Sequence, residues 1–195
     1  MSITIWVDLD EVLAELLDYI LEYNDYKIWN IKIYRNDVKY YYIHKQENID
    51  ISVDDAIKWF REPMYNDINN YKIAPVNKSK EKLLELKSKW YTLIVVTARI
   101  EELFWDYTKK WLDFHFPWIF NDIIFADHFN EKHRAKSEIC IENWISYMIE
   151  DNYDYAMELA NAWIKTYLIE KPWNNWHSSY NENVIKIKWW DELEI

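Results

Sequence analysis

The chain has 195 residues, of which 50% are hydrophobic, so it is long enough to bury one core with a modest insertion. Its formal net charge of −11 would repel a nucleic-acid backbone or an anionic membrane surface, which excludes both as the main partner. A lone cysteine, Cys140, excludes an internal disulfide, and the N-terminal residues lack the basic and apolar regions of a secretory signal. No apolar run approaches the ~20 residues that span a bilayer, so we expect a cytoplasmic globular protein.

Short apolar runs alternate with amphipathic stretches of helical length along most of the chain. The runs show little polar alternation, as is typical of parallel strands covered on both faces. The predicted strands are Ile3–Val7, Thr92–Thr97, Asp122–Ala126, Ile145–Ile149, Lys165–Ile169 and Val184–Ile187. Helical stretches are predicted at Lys78–Lys89, Lys136–Asn143 and Tyr153–Ala162. The alternation predicts an α/β fold with a Rossmann-like parallel sheet flanked by helices.

The stretch between the first and second predicted strands has a different character. It is rich in Tyr, Asn and Asp and contains no clear series of strands, and its best helix candidates are Leu13–Tyr23 and Val53–Glu62. We predict that residues 17–75 form a small, mostly helical cap, and that residues 1–16 and 76–195 form the core. Open α/β sheets bind ligands at the carboxyl ends of their strands, so the cap is expected to cover that edge.

The composition contains 13 tryptophans and no glycine, whereas ordinary usage of about 7% would supply roughly 14 glycines. Trp90, Trp144 and Trp163 each stand between a predicted helix and a predicted strand, where the backbone often turns left-handed and glycine is favoured because it has no Cβ. We hypothesise that many tryptophans occupy positions where the natural protein has glycine, for instance through a UGA codon read as tryptophan. The alternative is a protein unusually rich in aromatic residues. Tryptophans within helical patterns or fixed aromatic contexts fit the hypothesis less well, namely Trp59, Trp111, Trp173 and Trp190.

Polar residues follow the first two predicted strands. Asp8 and Asp10, spaced by one residue, lie between a buried strand and a helical stretch. Alone, such a pair is as typical of a turn or a helix cap as of a site. The second strand ends at Thr97, and Ala98 and Arg99 follow it, offering a hydroxyl and main-chain donors. Because the carboxyl ends of parallel strands meet at one sheet edge, we expect the two groups to be neighbours.

Two further motifs come later in the chain. Lys136 begins a predicted helix and is favoured over Lys132 as a functional lysine. Glu150 and Asp151 follow the fourth predicted strand, where one could bind a metal while the other orients water or a helix terminus. Asp154 could support that pair or could cap a helix. Asp, Thr, Lys and acidic residues therefore occur in that order near one predicted sheet edge.

With these four motifs the chain resembles, over essentially its whole length, the haloacid dehalogenase superfamily of aspartate-nucleophile phosphohydrolases. Asp8–Ala14, Ile149–Asn152 and the tail Lys171–Asn174 are similar to its 5′(3′)-deoxyribonucleotidase-like branch. The insertion after the first motif resembles the family's helical cap. The family often or usually has glycine at three positions that differ here: Trp6, Glu11 and Trp163.

The resemblance implies an Mg²⁺-dependent phosphomonoester hydrolase. Asp8 would attack phosphorus and form an aspartyl phosphate, and Asp10 would protonate the leaving oxygen and then accept a proton from water. Mg²⁺ would be held by Asp8, by the main-chain carbonyl of Asp10 and by Asp151, with Glu150 as the alternative ligand. Such all-oxygen ligation suits Mg²⁺.

The implied substrate is a small phosphate monoester rather than a nucleic-acid polymer, with a nucleoside or deoxynucleoside monophosphate preferred. Thr97, Ala98, Arg99 and Lys136 would bind it, although Arg99 could instead pair with a glutamate of the following helix. The alternatives are a phosphatase for a metabolite such as a sugar phosphate, and a catalytically silent member that binds a phosphorylated ligand or a protein partner. Tyrosines of the cap could stack on a base or simply pack, in particular Tyr40, Tyr41, Tyr42 and Tyr65.

Overall fold

The computed structural model describes residues 3–66, 70–126, 135–143, 145–178 and 180–195. In chain order its strands and helices are β1 (Thr4–Asp8), α1 (Leu16–Tyr23), β2 (Lys27–Ile28), β3 (Ile31–Lys32), α2 (Val53–Asn66), α3 (Ser79–Ser88), β4 (Thr92–Thr97), α4 (Glu101–His115), β5 (Asp122–Phe125), α5 (Lys136–Glu142), β6 (Tyr147–Glu150), α6 (Tyr153–Asn161), β7 (Lys165–Ile169) and β8 (Val184–Ile187). Within these described residues, no helix combines the length and the apolar character needed to cross a membrane.

Six strands form one parallel sheet in the order β5-β4-β1-β6-β7-β8. The predicted fold class is therefore confirmed. The bounds of β4, β7 and β8 are those predicted, and the other three strands differ from prediction by one or two residues at an end. β1 lies near the centre, between β4 and β6, so its carboxyl end is flanked by two further strand ends.

Alternate residues of β1 enter two different hydrophobic clusters, one on each face of the sheet. Ile5 and Val7 pack with residues of α3 and α4, whereas Trp6 packs with Ile139 and Leu159 from the other side. All three β1 side chains are fully buried. Both faces of the strand are thus covered, as expected for the interior of a parallel sheet.

The residues predicted to form the cap, 17–75, are here named the cap segment. They carry most of α1, the short antiparallel pair β2 and β3, α2 and a hydrophobic cluster of their own. The division of the chain into this cap and a core stays a prediction. The segment is mostly helical outside its loops, but the β2–β3 pair was not predicted.

Two helix ends in this region differ from the sequence prediction. α1 begins at Leu16 rather than Leu13, because the amides of Leu13 and Ala14 donate to the Leu9 carbonyl in a closed loop. α2 continues through Pro63 to its last turn, beyond the predicted end at Glu62. Pro63 removes one backbone donor, but the apolar face of the helix packs through Met64 into the main core.

Candidate active site

Two carboxylates stand at the carboxyl end of β1, as predicted. Asp8 is the last residue of the strand and is 4% exposed, and Asp10 follows in the loop that closes on Leu9. Glu11 has a φ of 67°, in the left-handed region that favours glycine. Its Oε1 accepts a hydrogen bond from the amide of Leu17 at 2.6 Å, which ties the loop to the start of α1.

Lys136, the first residue of α5, places its ammonium between two buried carboxylates. Its Nζ donates to Asp8 Oδ1 at 2.6 Å and to Glu150 Oε2 at 2.9 Å, and the Tyr155 ring lies 4.8 Å from it. Burial alone would lower the pKa of Lys136, but the charges of Asp8 and Glu150 raise that pKa well above its usual range. The lysine is therefore a fixed cation that offsets the repulsion between the carboxylates. Lys132 lies outside the described residues.

Asp8, Glu150 and Asp151 each offer one oxygen, and these atoms all lie within 4.8 Å of one another. Glu150 already uses both of its oxygens, because Oε2 accepts from the lysine ammonium and Oε1 accepts from the amides of Asp151 and Asn152. All three carboxylates are buried. Glu150 is thus better placed to orient the lysine and the strand end than to bind a metal.

Asp151 has one oxygen in use and one bare. Its Oδ2 accepts from Trp173 Nε1 at 2.9 Å, whereas its Oδ1 is buried and, among the described residues, has no hydrogen-bond partner. A bare buried carboxylate oxygen is costly unless a cation or a donor satisfies it. An oxygen-rich cluster with such an atom fits Mg²⁺, with Asp8 and Asp151 as the side chains that would hold it.

Burial dominates the proton affinity of this cluster. It raises the pKa of Asp8, which Lys136 opposes and the Glu150 carboxylate reinforces. Burial likewise raises the pKa of Asp151 well above its usual range, with further contributions from Glu150 and Asp8. Either protons or a bound cation must therefore offset the negative charge of these groups.

Thr97, the last residue of the neighbouring strand β4, and Ala98, which follows it, lie at the same edge. Asp8 is in register with Val96, so Thr97 extends one residue beyond it, with its side chain fully buried. Thr97 Oγ1 accepts the amide hydrogen of Arg99 at 3.2 Å, and Ala98 lines a cavity described below. The predicted threonine and acidic motifs are thus on adjacent strand ends.

Arg99 is bound to Asp10. Its Nε donates to Asp10 Oδ2 at 3.0 Å and its Nη2 to Oδ1 at 2.6 Å, while Nη1 donates to Thr108 Oγ1 on α4 at 3.0 Å. This bidentate geometry is the strong form of an Arg–carboxylate pair. The guanidinium thus fixes both oxygens of the second aspartate at the rim of the cluster. Its predicted role in substrate binding stays a prediction.

A cavity of about 200 Å³ is lined by residues of the cap segment and of the strand edge, including Asp10, Ala98 and Arg99. Its aromatic lining consists of Tyr41, Tyr42, Trp59, Phe60, Phe104 and Trp173. The other two tyrosines for which stacking or packing was left open pack on aromatic rings: Tyr65 on Phe104, with ring centroids 4.9 Å apart, and Tyr40 against Trp176 at 6.0 Å. Tyr41 and Tyr42 are therefore the two that face a ligand-sized space.

Sequence reasoning gave no role to Arg35, which joins the cap segment to the loop after β1. Its guanidinium donates to Glu11 at 2.7 Å, to Glu15 at 2.9 Å and to Asp18 at 2.8 Å. No motif or spacing relates residue 35 to these acidic residues, because folding alone brings them together. The sequence likewise indicated no role in the site for Trp173, although this residue lies in the tail motif Lys171–Asn174.

The chain is similar in fold or sequence to several known proteins. No protein-family model matches the chain. A protein named as a nucleotidase from Clostridium acetobutylicum is 26% identical over 98% of this chain and 92% of its own length. A haloacid dehalogenase-like hydrolase from Streptococcus pneumoniae superposes with a TM-score of 0.61 at 16% identity, covering 96% of this chain and 94% of that one. The chain has the haloacid dehalogenase-like fold.

A second solved structure with this fold, YfnB from Bacillus subtilis, is bound to magnesium. It superposes with a TM-score of 0.59 at 12% identity and covers 98% of this chain and 96% of its own. In the haloacid dehalogenase-like fold of the present chain, the ends of β1, β4 and β6 and the start of α5 carry the four predicted motifs. The geometry brings three of them into direct contact through Lys136.

Proposed function

We propose that this protein is an Mg²⁺-dependent phosphomonoester hydrolase that uses Asp8 as its nucleophile and acts on nucleoside or deoxynucleoside monophosphates. The observation that carries the proposal is the buried lysine that links Asp8 to Glu150 beside the bare oxygen of Asp151. Phosphate monoesters hydrolyse very slowly without a catalyst, so charge must be neutralised where a nucleophile is positioned in line. A nucleophilic carboxylate, a fixed cation and ligands for a metal supply those requirements.

Asp8 would carry out the first displacement. An oxygen of its carboxylate forms a bond to phosphorus as the bond from phosphorus to the leaving oxygen breaks, and a proton from Asp10 passes to that oxygen. Lys136 holds Asp8 Oδ1, so the carboxylate cannot rotate freely and its attack is pre-oriented. Mg²⁺, when held by Asp8, the Asp10 carbonyl and Asp151, would neutralise charge on the phosphoryl oxygens.

Water would complete the reaction in a second displacement. Asp10, now a carboxylate, accepts a proton as the water oxygen bonds to phosphorus, and the bond from phosphorus to Asp8 breaks. The bidentate contact with Arg99 fixes the orientation of the Asp10 carboxyl group at the rim of the acidic cluster. Thr97 and Lys136 would donate hydrogen bonds to the phosphoryl oxygens in both steps.

The cavity supports a leaving group with a flat, largely apolar part. Tyr41 and Tyr42 offer rings on which a base can stack, an interaction worth about 1–3 kcal/mol per base. Charged and polar groups also line the cavity, namely Asp10, Glu11, His44, Arg61 and Arg99. The relative named as a nucleotidase points to the same class of substrate.

The proposal is tested by measuring phosphate release from a panel of nucleoside monophosphates and sugar phosphates, with and without Mg²⁺. We expect turnover of nucleoside monophosphates that needs Mg²⁺ and is lost in Asp8→Asn, which keeps the shape of the side chain. Preferential turnover of sugar phosphates would contradict the proposed substrate class but not the proposed mechanism. Ligand or Mg²⁺ binding by a folded sample without any turnover would contradict the enzymatic proposal and favour the silent alternative.

A further inference from the structure

The segment after β7 brings a tryptophan against the predicted metal site. Trp173 is 5% exposed, and its Nε1 donates to Asp151 Oδ2 at 2.9 Å across 22 residues of sequence. Asp151 is fully buried. The indole N–H is thus a neutral donor to the buried Asp151 carboxylate.

The backbone around Trp173 is locked to the strand end that bears Asp151. The side-chain amide of Asn174 donates to the Asp151 carbonyl at 2.7 Å and to the Ile169 carbonyl at 2.8 Å. Its Oδ1 accepts the amide hydrogen of Lys171 at 2.9 Å. Asn174 is fully buried. The position of the indole relative to Asp151 is therefore set by direct hydrogen bonds.

The hydrogen bond decides which oxygen of Asp151 is left for a ligand. With Oδ2 held by the indole, rotation of the carboxylate is restricted, and Oδ1 stays among the acidic oxygens without a hydrogen-bond partner in the described residues. Outer groups that donate to metal-binding side chains orient them in this way, and their loss typically weakens metal affinity by 10–100-fold.

The indole also belongs to the hydrophobic cluster of the cap segment. That cluster includes Leu17, Val38 and Ile43, and the guanidinium carbon of Arg35 lies 5.9 Å from the centre of the ring. Packing of the cap segment thus holds the ring in place while its N–H faces the acidic cluster. One side chain spans the cap and the metal site.

We propose that Trp173 is a positioning residue that orients Asp151 for a divalent cation through its indole N–H. The inference rests on the metal dependence in the proposed function, but not on the identity of the substrate. It concerns a residue that would act through the Asp151 carboxylate.

The test is Mg²⁺ binding to Trp173→Phe, measured by titration calorimetry. Phenylalanine keeps an aromatic ring in the cap cluster and removes the N–H donor. We expect Mg²⁺ affinity to fall about 10–100-fold. The matched control is Trp111→Phe, which also loses a buried indole hydrogen bond, to the Ile73 carbonyl at 2.9 Å, and this acceptor is not part of the acidic cluster. Its Mg²⁺ affinity should equal that of the unsubstituted protein.

Steady-state kinetics separate positioning from general damage. In Trp173→Phe the Mg²⁺ concentration for half-maximal phosphate release should rise by the same factor, whereas in Trp111→Phe it should stay unchanged. Should the variant not fold, ¹⁵N-labelled indole spectra of the unsubstituted protein replace it. Mg²⁺ should then shift the Trp173 N–H resonance and leave that of Trp111 in place.

The possible results separate failure of this inference from failure of the proposed function in every case but one. Equal Mg²⁺ affinities for the two variants, or an unmoved Trp173 resonance at saturating Mg²⁺, would overturn the positioning role. If the unsubstituted protein binds Mg²⁺ but hydrolyses no ester, the proposed function is wrong. The calorimetric comparison of the two variants would still test this inference. No Mg²⁺ binding at all would overturn the inference together with the metal dependence.

Discussion

At the scale of single residues, the backbone of four tryptophans is typical of glycine. Trp29, Trp90, Trp118 and Trp163 have φ values of 55°, 66°, 64° and 64°. Their side chains are 65%, 88%, 92% and 82% exposed, so hydrophobic burial of the ring does not offset the backbone strain of the positive φ. A residue with a Cβ in this region costs roughly 1–2 kcal/mol. The conformations of Trp90 and Trp163 support the hypothesis that glycine belongs there, and Trp144 lies outside the described residues.

Three of the tryptophans that fit the glycine hypothesis less well have different surroundings. Trp111, Trp173 and Trp190 are buried, and each indole N–H donates a hydrogen bond. Trp6 is different again. It is fully buried in β1, and its Nε1 is one of two buried side-chain atoms in the described residues that lack a hydrogen-bond partner. A glycine in that strand would leave no donor to satisfy.

We predict that Trp90→Gly combined with Trp163→Gly stabilises the protein. Relief of two left-handed residues outweighs the greater freedom that glycine gives the unfolded chain, so the free energy of unfolding should rise by about 1 kcal/mol per site. Urea denaturation measures it. Alanine at both sites is the matched control, because it removes the ring but keeps the Cβ, and it should give little gain. Unchanged or lower stability of the glycine variant would contradict the interpretation.

At the scale of elements, strands of the main sheet were predictable because their residues are apolar on both faces. The bounds of β4 and β7 follow directly from such runs. The β2–β3 hairpin was missed for a different reason. Its two-residue turn begins with Trp29 at positive φ, the position where a tight hairpin turn normally shows glycine. The tryptophan removed from the sequence the one local feature that predicts a hairpin.

The candidate site likewise contains residues that the strand pattern predicts and residues that it does not predict. Asp8, Thr97 and Asp151 could be predicted because parallel strands deliver their carboxyl ends to one edge. The contacts of Arg35 and Trp173 depend on how the cap segment packs, over sequence separations of 24 and 22 residues. No periodicity encodes such contacts. Hydrogen bonds between distant segments thus complete a site that strand order only outlines.

The pair formed by Arg99 and Asp10 joins the loop after β1 to α4, through Thr108. We predict that Arg99→Lys, which keeps the charge but cannot make both contacts, lowers kcat by about 10–100-fold for phosphates of alkyl alcohols. The loss should be much smaller for p-nitrophenyl phosphate, whose leaving oxygen needs no proton. Phosphate release from both substrate types measures the ratio. An equal loss for both would mean that Arg99 acts on substrate binding or folding instead of on Asp10.

At the scale of the whole molecule, the net charge of −11 repels a negatively charged phosphate ester. Cations offset part of this negative charge at the candidate site. Lys136, Arg99 and Lys171 form ion pairs with acidic residues at and after the end of β1. The buried pair Asp8 and Asp151 still lacks full compensation, as their raised pKa values indicate. A divalent cation would therefore change the stability of the entire chain and not only its activity.

The raised pKa values of Asp8 and Asp151 predict that Mg²⁺ affinity depends on pH. Because burial raises the pKa of Asp8 and of Asp151, the metal-free folded protein holds protons there that the unfolded chain has already released. The contribution of these groups to stability therefore falls as pH rises from their unfolded pKa of about 4 toward the raised values. Mg²⁺ must displace the same protons, so its affinity should rise with pH over this window.

The measurement is the shift in Tm caused by saturating Mg²⁺, compared between about pH 6 and about pH 8, where binding to the folded state alone sets the shift. Taking the difference with and without metal removes the effects of His115 and His177, whose lowered pKa values act equally on both samples. The shift should grow toward the higher pH. In Asp151→Asn it should be small at both, because the bare oxygen of the carboxylate is replaced by a neutral group. A shift of equal size at the two pH values would mean that Mg²⁺ does not compete with protons at this cluster and binds elsewhere.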